Sequence, residues 1–263
     1  MPSVMSGDAS IHYETMGSGS PILLLAGLGG VGRSWGPQVE LFAKNHLVIL
    51  PDHRGTGQST MTTQGQTIEQ HAVDMAALIR QVDVGLVHVV GSSTGGAIAQ
   101  VLALDHAELV KSAAITSSWA RTDAYFRAQF VLRRQLIADS GFEAATRANA
   151  LFLFDPNFHR DHPDRIAAWA KAVSATPFDL DIALARFAMI EAHDQLDRLG
   201  GIRRPVLVLV GKSDFCTPPY FSLEMAARIP GAVLEEVAGG HFVYLERPEV
   251  FHAHVERFIR AHD

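Results

Sequence analysis

Apolar residues run almost without interruption through positions 21–26, 46–50 and 86–90, and each run is closed by Gly or Pro. Runs that short, ending that way, are what strands buried on both faces look like. Ahead of them Ile11, Tyr13 and Thr15 alternate with polar neighbours behind a Gly7-Asp8 turn, which predicts an early antiparallel hairpin. Between the second and third runs the period changes. Ile68, Ala72, Met75, Ile79 and Val82 recur at helical spacing behind Thr67, a good N-cap. Ala97, Val101 and Leu104 keep that period after the third run, and positions 110–115 read as a further strand. Such alternation predicts an α/β protein with a mostly parallel central sheet and helices on both faces.

The pattern then breaks. From 122 to about 199 no comparable strand-like run occurs, and the apolar spacing suggests helices over 122–140, 142–153, 164–174 and 178–199. Strands return at 206–210 and 233–237, with helices at about 219–229 and 248–262. A helical insertion at 119–199, between two parts of one core at 1–118 and 200–263, fits better than two independent domains.

Composition narrows the functional classes. Among 263 residues 48% are apolar and 19% charged, which excludes disorder and supplies a large core. A formal charge of −6 gives no electrostatic reason to bind nucleic acid or an anionic membrane surface. No apolar run is long enough to span a bilayer, and MPSVMSGDAS lacks the charged and apolar regions of a signal peptide. The single cysteine, Cys216, excludes an internal disulfide and a Cys-based metal cluster. A soluble, cytoplasmic protein is expected, with a small-molecule partner and its oligomeric state, a homodimer included, left open.

The strongest chemical signal is Gly91-Ser92-Ser93-Thr94-Gly95, lying between a strand and a helix. It fits G-x-S-x-G with Ser93 in the centre; Ser92 competes, but only Ser93 has Gly at both −2 and +2. A sharp strand-to-helix turn there pushes the Ser93 hydroxyl out at the carboxyl end of the sheet. A bare Ser/Gly helix cap is the duller alternative. A serine nucleophile needs a base. Of thirteen histidines, His241 stands out because it follows Gly239-Gly240 just past the strand at 233–237. His88, inside a strand, and His252 and His254, on the last helix, suit structural roles better. His159 and His162, near Asp161 and Asp164, superficially resemble a metal-binding run, but no third imidazole or Cys cluster accompanies them and no metal is expected.

The third member must be a carboxylate that holds the imidazole in the right tautomer. Asp214 follows the strand at 206–210, so it shares the sheet edge and precedes His241; the alternative after the strand at 110–115 has no carboxylate before Asp123. The Gly-rich 26–30 segment follows the first parallel strand and can expose amides, so Leu28 N–H and Thr94 N–H would form an oxyanion hole. It lacks the Lys or the G-x-G-x-x-G spacing of a phosphate loop. Trp119 and Phe126 near the start of the insertion, and Trp35 just past the oxyanion loop, are candidates to line a substrate pocket. An unperturbed imidazole titrates near about 6.5, so activity is expected to rise with pH around neutrality.

Taken together, residues 26–30, Asp52 to Ser59, the Gly91 to Gly96 elbow, Asp214 and Gly240-His241 resemble the α/β-hydrolase superfamily over essentially the whole chain. The resemblance implies the α/β-hydrolase fold, with the insertion as a helical cap, and a structural role for the D-x-R-G-x-G-x-S loop at 52–59. One departure is Ala26, where many members carry His. Two groups are especially similar. The 3-oxoadipate enol-lactonases resemble this chain in length, in the Gly-Leu-Gly stretch and in Thr217-Pro218-Pro219 after the acid. The aminoacrylate hydrolases of pyrimidine breakdown (RutD-like) resemble it in residues 26–35 and 119–154. The expectation is a cofactor-free serine hydrolase for a small ester, lactone, or activated amide or carbamate. Its rivals are C–C hydrolysis or aminoacrylate deamination on the same triad, and a receptor that turns over slowly.

Overall fold

The Gly7-Asp8 turn joins β1 (Ser3–Ser6) to β2 (Ala9–Met16) in the antiparallel hairpin that the alternation predicts. In the computed structural model, which describes residues 2–263, β2 pairs antiparallel with β4 (His46–Pro51). Every remaining pairing is parallel and adds β3 (Ser20–Leu25), β5 (Val87–Ser92), β6 (Val110–Thr116), β7 (Val206–Gly211) and β8 (Val233–Val237). The order is β1-β2-β4-β3-β5-β6-β7-β8. From β3 the chain steps outward to β4 and then returns to β5 on β3's other side. The loops leaving β3 and β5 therefore diverge, and such a crevice at the carboxyl ends of parallel strands is where ligands bind in open α/β sheets.

Alternate side chains of each central strand serve two core layers, because successive residues point to opposite faces. Leu23, Leu25, Ile49, Val89 and Ile115 face a layer built with α2 (Ile68–Val82), α3 (Thr94–Asp105) and α8 (Pro219–Arg228). Ile22, Leu24, Val48, Leu50 and Val90 face the other, with α1 (Pro37–Phe42), α9 (Val243–Glu246) and α10 (Pro248–Arg260). Thr67 caps α2 as read from the sequence, its side chain accepting from Gln70 N at 3.0 Å, a device worth about 1 kcal/mol.

Between β6 and β7 the chain builds helices: α4 (Ala124–Leu153), α5 (Pro156–Asp161), α6 (Pro163–Ser174) and α7 (Leu180–Ala192). Helix α4 loses helical geometry at Gly141, φ 80°, which is where the sequence separates two helical stretches. The two ends of this insertion meet in a bridge between Arg121 and Asp194, reinforced by Arg121 bonds to Asp194 at 2.8 Å and Asp197 at 2.7 Å. These pairs are solvent-exposed, so they set the geometry of the junction more than they stabilise it. No helix among the described residues is long and apolar enough to cross a membrane.

Candidate active site

Ser93 sits between the last residue of β5 and the first of α3 with φ 55° and ψ −117°. A non-glycine residue held there costs about 1–3 kcal/mol, and strain of that kind persists only where the surroundings impose it. They do so here. Ser93 N donates to Thr116 O at 2.9 Å and Ser118 Oγ donates to Ser93 O at 2.8 Å. The flanking glycines are sterically required: a Cβ on Gly95 would stand 2.0 Å from Leu25 O, and one on Gly91 2.2 Å from Gly95 O. The turn thus pins the backbone and leaves the Ser93 hydroxyl without a partner among the described residues. Ser92, the competing serine, is buried in β5 with its hydroxyl unbonded.

Asp214 and His241 meet directly. Asp214 lies in the loop after β7 and His241 in the loop after β8, so both come to the edge that carries Ser93. His241 Nδ1 lies 2.9 Å from Asp214 Oδ2 and 3.1 Å from Oδ1. The carboxylate is fixed in turn by the amides of Cys216 and Thr217 at 2.9 and 2.8 Å, and by the Thr217 hydroxyl at 3.0 Å. With Nδ1 committed to the carboxylate, Nε2 is the ring nitrogen left outside that contact. No Ser93–His241 hydrogen bond is made in this structure; catalytic contacts of this kind commonly tighten only when substrate binds.

Burial pulls the His241 imidazole down, but the Asp214 carboxylate and the Cys216 thiol beside it outweigh burial and raise it from 6.5 to about 10. Burial pushes the Cys216 thiol up, while His241 and the Arg133 guanidinium together hold it below the ordinary thiol value. The His241 loop is braced by Glu246, whose carboxylate accepts from Gly240 N at 3.0 Å and from Asp155 N at 3.0 Å.

The loop after β3 lies against Ser93, since a Cβ on Gly27 would stand 3.5 Å from Ser93 Cβ. Neither Leu28 N nor Thr94 N donates to a protein acceptor among the described residues. Thr94 also opens the twelve-residue α3, whose N-terminal end favours negative charge. The 52–59 loop is a buttress: Asp52 accepts from Gly32 N and Gln58 N at 2.9 Å each, and Arg54 makes a bidentate pair with buried Asp74 at 2.7 Å.

The remaining candidates fall elsewhere. Trp35 packs beneath the sheet against Tyr244 and Phe251, in the layer facing away from α3. Trp119 packs on Phe126 and His193, and Phe126 on Phe130 and Phe221, with both rings fully buried. The structure places all three in packed core rather than on a pocket wall. Asp123 caps α4 through Phe126 N at 2.8 Å and accepts from the Tyr220 hydroxyl, so it is not His241's partner. His88 bonds Ser112 and Asp263, His254 bonds Glu235, and His159 bonds the Ala150 carbonyl, all structural contacts.

Several supporting residues are not singled out by sequence reasoning. Thr217, three residues after Asp214, has the spacing by which a short polar side chain closes on its own loop, and that signal was available. Ser118, Glu246 and the insertion residue Arg186 act across long separations that no local pattern marks. Arg133 turns inward from α4, with Nη2 3.3 Å from Cys216 Sγ.

Residues 20–248 match a family described as alpha/beta hydrolase fold. The chain is 38% identical over 252 residues to a protein of Azorhizobium caulinodans named "Putative carbamate hydrolase RutD", with 95% of each covered. It is 33% identical over 258 residues to a protein of that name from Caulobacter vibrioides, covering 95% of this chain and 96% of the relative. Among solved structures, an enol-lactonase from Burkholderia xenovorans superposes with a TM-score of 0.89 at 26% identity, over 98% of this chain and all of that one. An N-acyl homoserine lactone degrading enzyme does so with 0.88 at 30% identity, over the same shares.

Proposed function

The chain belongs to the alpha/beta hydrolase fold family, and we propose that within it this protein is a serine hydrolase working by acyl transfer. The observation that carries this reading is Ser93, held at a positive φ with a free hydroxyl, on the sheet edge that also presents the Asp214–His241 pair. His241 Nε2 takes the proton as Ser93 Oγ attacks a carbonyl carbon. Asp214 stabilises the imidazolium that results, and the Leu28 and Thr94 amides receive the charge on the carbonyl oxygen. His241 returns its proton to the leaving group, giving an acyl-serine. Water, deprotonated by the same imidazole, then releases the acid.

The relatives' names point to carbamate and lactone chemistry, and the triad serves either. The substrate class proposed is therefore a small ester, lactone, or activated amide or carbamate. Incubation with p-nitrophenyl acetate, a short-chain lactone and an aryl carbamate tests the class. Saturable turnover of at least one is expected; saturable binding of all three without turnover would instead identify a receptor.

The pH dependence follows from the His241 environment. Only the neutral imidazole is a base, so raising its pKa moves the onset of activity to higher pH. The acid limb of kcat/KM is expected above the 6.5 of a free imidazole, displaced toward about 10. Cys216→Ala removes one of the groups that raise it, so the limb should move back toward neutrality. A limb at or below 6.5 that Cys216→Ala leaves in place would contradict this account of the base.

A further inference from the structure

Arg186, on α7 of the insertion, is 3% exposed and reaches down to the loop after β3. Its Nε and Nη2 both donate to the Leu28 carbonyl, at 3.1 and 2.8 Å. Nη1 donates to the Arg54 carbonyl at 3.1 Å and to Gln66 Oε1 at 3.3 Å, and Nη2 also faces His53 Nδ1 at 3.4 Å. Every one of these acceptors is uncharged. Burial lowers Arg186 only to about 10, so it stays a cation at neutral pH; burial and Arg186 lower His53 to about 3, so His53 stays neutral and accepts. A buried cation without an anion costs several kcal/mol, and packing α7 on the body gives no reason to retain one.

The loop it grips supplies the reason. Gly30 N donates to Gly27 O at 2.9 Å, so residues 27–30 form a β-turn with Leu28 and Gly29 at its corners. The peptide between the corners is the one whose flip separates type I from type II turns, and a glycine second corner tolerates either sense. Two charge-assisted donations to the Leu28 carbonyl hold that peptide in one orientation. Ala26, just before the turn, offers no polar side chain to do so.

We propose that Arg186 is the positioning residue of the oxyanion loop: from the insertion it clamps the Leu28 carbonyl, fixes the Leu28–Gly29 peptide, and so seats the 27–30 turn whose preceding peptide presents the Leu28 amide to the tetrahedral intermediate. This rests on the serine-hydrolase reading above. Seating of the insertion and completion of the oxyanion hole become one event, because a single side chain spans both. The residue acts on a group used in the transition state, so its loss is felt in kcat more than in KM. Outright loss of one oxyanion donor costs about 10²- to 10³-fold, and a misdirected donor costs a part of that.

The test uses p-nitrophenyl acetate kinetics, thermal melting, and inhibition by an alkyl trifluoromethyl ketone, which forms a tetrahedral adduct on a serine. Arg186→Met is expected to lower kcat about 10- to 100-fold with KM within about threefold, and to weaken the ketone by a factor similar to the loss in kcat. Arg186→Lys, which keeps a charged donor, should recover most of both. A folded Arg186→Met with kcat and ketone affinity near wild type would overturn the proposal. So would a loss of kcat that leaves ketone affinity intact. If Arg186→Met does not fold, Arg186→Gln takes its place: the neutral Gln should fall well below Lys in kcat, and equal values would overturn the clamp. Ser93→Ala, run alongside, separates the failures. Full activity there removes the serine reading itself, whereas an inactive Ser93→Ala with unaffected Arg186 variants removes only this inference.

Discussion

Ser93→Ala is expected to lower kcat for ester hydrolysis by about 10⁵- to 10⁶-fold without altering thermal stability. The scale follows from removing the nucleophile of a unit whose members act together, which leaves only what oxyanion stabilisation and binding contribute. Tenfold is about 1.4 kcal/mol, so the loss corresponds to about 7–8 kcal/mol of transition-state stabilisation. Stability should hold because the Ser93 hydroxyl bonds to no group among the described residues, and the turn is fixed through its backbone by Thr116 and Ser118. Alanine meets the same positive φ that serine does, so no new strain enters. The matched control is Ser92→Ala, which removes a buried hydroxyl from β5 and should leave turnover within a few-fold of wild type. Steady-state kinetics on the two variants, beside their melting curves, check both statements. An active Ser93→Ala would remove the nucleophile from the account.

Asp214→Asn should fold and yet lose about 10³- to 10⁴-fold in kcat, the second largest effect. The hydrogen bonds around Asp214 say why. Oδ1 accepts from two backbone amides, those of Cys216 and Thr217, so the carbonyl oxygen of an asparagine would take that place. Its NH₂ would then occupy the Oδ2 position, 2.9 Å from His241 Nδ1. An amide there donates to Nδ1, which forces the imidazole proton onto Nε2, the nitrogen that must accept from Ser93. The ring is held in place but in the wrong tautomer. Asp123→Asn makes the same atom exchange at a helix cap bonded to Phe126 N and Tyr220, and should change kcat little. A reversal, with Asp123→Asn the crippled variant, would move the acid to the base of the insertion.

Much of this was legible along the chain because the relevant signals are local. The apolar runs mark β3 to β8, the Gly141 break appears as a gap between two helical stretches, and the elbow declares itself through glycines that backbone contact forbids replacing. The contact between Asp214 and His241 follows from their loops after β7 and β8 sharing one sheet edge, which the order of strands along the chain makes visible. The short α1 and α5 escaped, since six residues give too few turns for a period to show. The aromatic assignments failed for another reason. Trp35, Trp119 and Phe126 stand next to functional loops in sequence, but which way each ring turns depends on partners such as Tyr244, Phe251 and His193, far along the chain. Arg186 is the sharpest instance. It is the lone arginine of the apolar helix α7, and only the fold brings it across 158 positions to the Leu28 carbonyl.

The central claim is that Ser93 is the nucleophile, and a covalent probe tests it most directly. The wild-type protein is treated with a fluorophosphonate, digested, and sequenced by fragmentation that separates Ser92 from Ser93. The account predicts one adduct per chain, on Ser93 Oγ, forming faster as pH rises through the titration of His241. An adduct on Ser92 or on any other residue, or a protein that turns over esters yet stays unlabelled, would contradict it.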